Sequence, residues 1–151
     1  VRQTSSTHGP DGYITTNTSE IQAGVERLQR KIDSNTESFS YFDLEERKGA
    51  RTLLVAYGIT AGAARAAAME LSEKQNIPVS LLVLKTLWPV PEQVLQAAAV
   101  GMERILVVEM NLGQYVLEIR RVLCNQRVDF YGKMSGQLLS PTEIIEEVTR
   151  G

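Results

Sequence analysis

The chain has 151 residues, 43% hydrophobic and 23% charged, with 16 Lys and Arg against 18 Asp and Glu for a formal net charge of −2. That length and apolar content suit one buried core rather than a disordered chain, and basic residues this scattered exclude a nucleic-acid surface, which needs clustered Lys and Arg. The single cysteine, Cys124, excludes an internal disulfide and cannot alone hold an iron–sulfur cluster or structural zinc, and no apolar run approaches the roughly 18 residues of a membrane span, so the expected setting is a reducing cytoplasm.

Residues 1–17 are rich in Ser, Thr, Gly and Asn, and His8-Gly9-Pro10-Asp11-Gly12 is a strong turn signal. With Val1 rather than Met at its start, the segment reads as a linker following something removed. Asn17 with Glu20 three residues on caps a helix whose Ile21, Val25, Leu28 and Ile32 form one stripe that needs cover, with Arg27, Arg30 and Lys31 in its last turns. The expected organisation is thus a linker and connecting helix over 1–38 and an α/β domain over 39–151. Phe39–Leu44 alternates as a short edge strand.

From Arg51 the pattern becomes regular. It predicts strand Thr52–Tyr57, helix Thr60–Gln75, strand Val79–Leu84, helix Pro91–Val100, a strand over Ile105–Val108, helix Gln114–Asn125 and a last strand over Arg127–Tyr131. Ser140-Pro141-Thr142-Glu143 then combines an N-cap, a first-turn proline and a capping-box glutamate ahead of Ile144, Ile145 and Val148. Strands alternating with helices require crossover connections, so the fold class is a three-layer α/β/α arrangement: a mostly parallel sheet of about five strands with one antiparallel edge.

In open α/β sheets the turns after the strands are where ligands and partners sit. The first, Tyr57-Gly58-Ile59-Thr60, lacks the three spaced glycines and the acidic partner of a dinucleotide fingerprint; Gly58 permits the turn, Thr60 caps the helix, and direct ligand contact stays a minor alternative. The second holds the only tryptophan, Trp88, between Leu87 and Pro89: a rigid amphipathic ring suited to stack on a ligand or anchor a partner, or else a half-buried ring closing the sheet. In the third, Glu109 and Asn111 flank a helix amino terminus at Gly113-Gln114, where free N–H groups favour an anion unless the turn's own side chains or a subunit contact use them. Gly58, Thr60, Trp88, Glu109, Asn111, Gly113 and Gln114 therefore form the candidate edge for an interface or anion contact. His8 reads as a solvated loop histidine and Cys124 as a small core residue. No catalytic set, nucleophile elbow, P-loop or paired-histidine motif occurs.

Three motifs carry a family resemblance: Leu54-Val55-Ala56-Tyr57-Gly58-Ile59-Thr60 before an alanine-rich helix, Leu84–Glu92 with its Leu-Trp-Pro turn, and Val107-Val108-Glu109-Met110-Asn111-Leu112-Gly113-Gln114. With the connector over 1–31, they make the chain resemble the carboxyl-terminal, transketolase-C-like domain of the α subunit of 2-oxoacid:ferredoxin oxidoreductases, most closely the 2-oxoglutarate type. The third motif also resembles transketolases and oxoacid dehydrogenase β subunits, which remain the alternative, alongside a stand-alone anion- or nucleotide-binding module. The resemblance implies a whole enzyme using thiamine diphosphate, magnesium, an iron–sulfur cluster and coenzyme A to convert a 2-oxoacid to an acyl-coenzyme A. None of these groups is expected in this chain, which has no Gly-Asp-Gly segment and no cluster cysteines, and no catalytic residue carries over. The implied partners are the other domain of the α subunit and the thiamine-binding β subunit, with ferredoxin reached through the holoenzyme and a homodimer left open; nucleic acid and membrane are not expected.

Overall fold

A computed structural model of the chain describes residues 7–150. The first six residues of the linker, with the expectation placed on Val1, and the final Gly151 lie outside the described residues. The chain divides into two units, with the boundary between Phe39 and Ser40.

In the first unit His8 bridges Ile14 around a tight turn, closed by Gly9 N–H to Tyr13 O (2.9 Å) and by Tyr13 N–H to the Asp11 carboxylate (3.0 Å). Helix α1 (Thr18–Asp33) starts where Asn17 Oδ1 accepts the N–H groups of Ser19 (3.0 Å) and Glu20 (3.4 Å), as the capping pattern predicts. None of its residues is buried: Val25 and Leu28 are 57% and 55% exposed, so the stripe that needs cover lacks it. A single turn, α2 (Thr36–Phe39), follows, and the edge strand accordingly starts later than the alternation predicts. There Ser38 and Asn35 bond locally, which favours a turn over an extended chain.

The second unit contains β1 (Phe42–Glu45), β2 (Thr52–Tyr57), α3 (Thr60–Lys74), β3 (Val79–Leu84), α4 (Glu92–Ala98), β4 (Arg104–Glu109), α5 (Tyr115–Val122), β5 (Val128–Gly132) and α6 (Pro141–Arg150). The five strands lie in the order β1-β3-β2-β4-β5, all parallel except β1, which runs antiparallel against β3, as the fold class requires. Every residue of β3 and β4 is buried, and this is why those strands read as unbroken apolar runs rather than alternating ones.

Alternate residues divide between two cores. Leu53, Val55, Ile105 and Val107 face Leu95, Val116 and Ile119 of α4 and α5. Leu54, Ala56, Leu106 and Val108 face α3 and α6, where Ala64, Ala67 and Ala68 let the α3 backbone approach the sheet closely. The predicted capping box at the start of α6 is present: Ser140 N–H donates to the Glu143 carboxylate (2.9 Å) and Glu143 N–H to Ser140 Oγ (3.3 Å). Two local expectations need correction. Pro91 is the N-cap of α4 rather than its first residue, and Cys124, past the end of α5 at Val122, is exposed, while its neighbour Leu123 takes the buried position. No helix among the described residues is long and apolar enough to cross a membrane.

Candidate functional site

Parallel pairing places Tyr57 beside Leu84, and Ala56 beside Val108, so β2, β3 and β4 end level with one another and their turns share one edge. Glu109, the last residue of β4, is completely buried there. Its carboxylate accepts Tyr115 N–H (3.0 Å), Val116 N–H (2.7 Å) and the Tyr57 hydroxyl (2.8 Å). Asn111 completes the turn: its Oδ1 accepts Gly113 N–H (2.7 Å) and Gln114 N–H (3.0 Å), and its Nδ2 donates to Tyr57 Oη (2.9 Å). Four consecutive N–H groups at the start of α5 are thereby satisfied by the chain's own side chains. The negative charge that a helix amino terminus attracts is built in.

Two tyrosines tie this turn to its neighbours. The rings of Tyr57 and Tyr115 meet edge to face with centroids 5.6 Å apart, and the Tyr115 hydroxyl donates to Leu87 O (3.1 Å), reaching the turn that carries Trp88. Burial, then the hydrogen bond to Glu109, pushes the Tyr57 hydroxyl up to about 12, and burial likewise raises Tyr115. Both phenols therefore stay protonated at neutral pH, as hydrogen-bond donors rather than bases. No side-chain polar atom buried among the described residues lacks a partner.

The candidate residues separate by burial. Thr60 and Glu109 are buried; Gly58, Trp88 and Gln114 are exposed; Asn111 and Gly113 are intermediate. Thr60 is not the cap of α3: Ile59 occupies that position without a side-chain bond, and the Thr60 hydroxyl, in the first helical turn, donates to Tyr57 O at 2.7 Å. Trp88 is 76% exposed, which removes the reading of a half-buried ring. Gly113 has φ +89°, a backbone that favours glycine, and at Gly132 a side chain would come within 2.5 Å of Asn111 O, so the end of β5 presses on the same turn.

Sequence reasoning does not find Tyr57, Tyr115, Leu87 or Gly132 as parts of this edge. The one available signal is a tyrosine at the end of a buried strand, whose hydroxyl must find a partner. It also misses Arg104 at the opposite edge. The Arg104 guanidinium donates to Asp129 (2.6 Å) and to the carbonyls of Glu147 (3.1 Å) and Val148 (3.0 Å), joining β4, β5 and the end of α6.

The residues present do not fit a magnesium ion or an iron–sulfur cluster. Among the described residues no three His, Cys, Asp or Glu side chains converge as metal ligands, and the edge carboxylate already has both oxygens engaged.

An α/β/α layer with a mixed five-stranded sheet is the arrangement shared with a transketolase chain described as the split-gene, inactive β4 tetramer, at TM-score 0.61 and 18% identity over 73% of this chain and 40% of that one. A chain of the 2-oxoglutarate:ferredoxin oxidoreductase of Magnetococcus marinus, described with 2-oxoglutarate, coenzyme A and succinyl-CoA bound, shares the fold at TM-score 0.86 and 23% identity, over 97% of this chain and 26% of that one. Residues 50–144 match the family described as pyruvate:ferredoxin oxidoreductase core domain II, and the chain belongs to that family. Among its relatives, the 2-oxoglutarate synthase subunit KorA of Methanothermobacter thermautotrophicus is 30% identical over 95% of this chain and 39% of that protein. The subunit of the same name from Archaeoglobus fulgidus is 31% identical over 93% and 38%. The chain thus spans about two fifths of the length of these relatives.

Proposed function

We propose that this chain is a noncatalytic docking domain of the α subunit of a cytoplasmic, thiamine-diphosphate-dependent 2-oxoacid:ferredoxin oxidoreductase, and that the oxoacid is 2-oxoglutarate. The relatives named as 2-oxoglutarate synthase subunits support the substrate, and the family supports the electron acceptor. In the whole enzyme the thiamine, held by another subunit, supplies the carbanion chemistry that releases carbon dioxide and leads to an acyl-coenzyme A. This domain supplies a surface.

One observation carries the reading. At the carboxyl edge the anion position is filled by the chain's own Glu109, while Ile59, Trp88 and Leu112, one from each of three neighbouring turns, are 68%, 76% and 78% exposed. Residues 58–62, 86–91, 110–114 and 134–142 contain no charge, and the flanking Lys85 and Lys133 are each paired, with Asp43 and Glu143. Depletion of charge around exposed aromatic and aliphatic side chains marks the centre of a protein interface rather than a phosphate pocket. The occupant proposed for it is the thiamine-binding subunit, a reading supported by the relatives' being named as subunits of a larger enzyme.

Two measurements test this. Leu112→Asp in the full-length α subunit is expected to abolish association with the thiamine-binding subunit while circular dichroism stays native; undiminished association sinks the proposal. Titration calorimetry of the 151-residue chain with thiamine diphosphate and magnesium is expected to give no saturable heat, and tight binding would overturn the noncatalytic assignment.

A further inference from the structure

Three surface turns meet at the carboxyl edge, and among the described residues every hydrogen bond that joins one of them to another runs through a side chain. Tyr57, at the head of the first turn, donates its hydroxyl to Glu109 at 2.8 Å and accepts from Asn111 at 2.9 Å, which ties it to the third. Tyr115, just after the third turn, gives its N–H to Glu109 at 3.0 Å and its hydroxyl to Leu87 O, in the second, at 3.1 Å. Glu109 is the meeting point. It is 0% exposed and holds the Tyr57 hydroxyl together with two N–H groups of α5, whereas Ile59, Trp88 and Leu112 at the turn tips face water.

We infer that the three turns open and close as one cooperative unit, with the Glu109 carboxylate as its hub. The unit belongs to the free chain, whatever covers the edge, and does not rest on the docking reading. The physical reason lies in the cost of a half-open state. A buried carboxylate that loses one donor keeps its charge out of water with fewer bonds to hold it, so a partly broken network is worse than either the fully bonded arrangement or the fully hydrated one. When the intermediates cost more than both ends, local opening is all-or-none. Opening the third turn also withdraws Tyr115, the first residue of α5, from the ring of Tyr57 and from Leu87 O, so the second turn loses its bond in the same event.

Hydrogen exchange of the 151-residue chain, followed by NMR, reads the opening directly, because the N–H groups of Gly113, Gln114, Tyr115 and Val116 are all bonded to Glu109 or Asn111. In the parent these four are expected to share one protection factor, lower than that of Leu106 and Val107 in the core strand. Tyr115→Phe deletes only the oxygen bonded to Leu87, yet it is expected to speed exchange at all four about fivefold, the worth of one neutral hydrogen bond, with Leu106 and Val107 unchanged. Tyr57→Phe removes no hydrogen bond to the second turn, yet it is expected to make the fluorescence anisotropy of Trp88, the only tryptophan, decay further than in the parent. Four unequal protection factors in the parent would overturn the unit. So would exchange at Gly113–Val116 unmoved by Tyr115→Phe, or Trp88 anisotropy unmoved by Tyr57→Phe, since the turns would then move independently. If the four amides exchange only as slowly as Leu106 and Val107, or a variant speeds both groups equally, the opening is global unfolding and the local unit is overturned as well.

Discussion

Individual side chains in this domain act mostly by satisfying backbone groups, and Glu143 shows the consequence for pH. The hydrogen bond from Lys133 Nζ (2.8 Å), then those from Ser140, hold its carboxyl down from 4.5 to about 2. A folded-state value below the unfolded one means that the stabilisation is present above about pH 4.5 and is lost as the pH falls toward 2. Glu143→Gln should therefore lower stability at pH 7, where that stabilisation is fully present, and flatten the acid limb so that variant and parent converge toward pH 2, as urea midpoints across the range will check. Glu109 belongs to the same economy of local bonds but differs in place: it lies fully buried at a strand end and takes N–H groups from the following helix, where Glu143 serves its own helix.

Among the elements, β4 carries a buried, hydrogen-bonded polar side chain at each end. One of its ends carries Glu109 and the other Arg104, whose side chain is only 7% exposed. Burial pushes Asp129 up, but the hydrogen bonds from Arg104 and Arg127 outweigh it and hold the carboxyl below its ordinary range. The same guanidinium caps the last turn of α6 through two carbonyls, where positive charge opposes the negative end of the helix dipole. Arg104→Ala should cost about 3 kcal/mol, the scale for breaking a buried pair by removing one partner. Chemical unfolding will measure it, and a double-mutant cycle with Asp129→Ala will separate the pair from the cap. The exposed pairs, such as Arg150 with Glu146 or Arg51 with Glu103, contribute far less, because water screens them and long side chains lose entropy to form them.

At the scale of the molecule, every residue of both cores comes from the segment after Ser40, from Leu44 to Val148. We propose accordingly that residues 40–151 are a folding unit in their own right. Expressed alone, they should unfold in one cooperative transition with the near-ultraviolet signal of packed aromatics retained; a broad, non-cooperative melt would show that the sheet needs the residues before it. Helix α1, with its stripe exposed and no buried residue, has no such independent means of stability, since an isolated 16-residue helix is marginal in water.

The amino-acid order by itself determined which strands and helices follow Arg51 and in what order, with strand ends within a residue or so and the ends of α4 and α5 two to three residues too long, because those signals are local: apolar runs for strands buried on both faces, a helical stripe, a Ser-Pro-Thr-Glu start. It also determined, through three turns, the family to which the chain belongs. Only the tertiary structure decided what those turns do. The bond between Tyr57 and Glu109 spans 52 residues, and that between Tyr115 and Leu87 spans 28. Nothing in the neighbourhood of any one of them announces the other. The sheet order β3-β2-β4 brings three strand ends side by side, and that juxtaposition turns an apparent anion site into one already filled and leaves Trp88 and Leu112 facing outward.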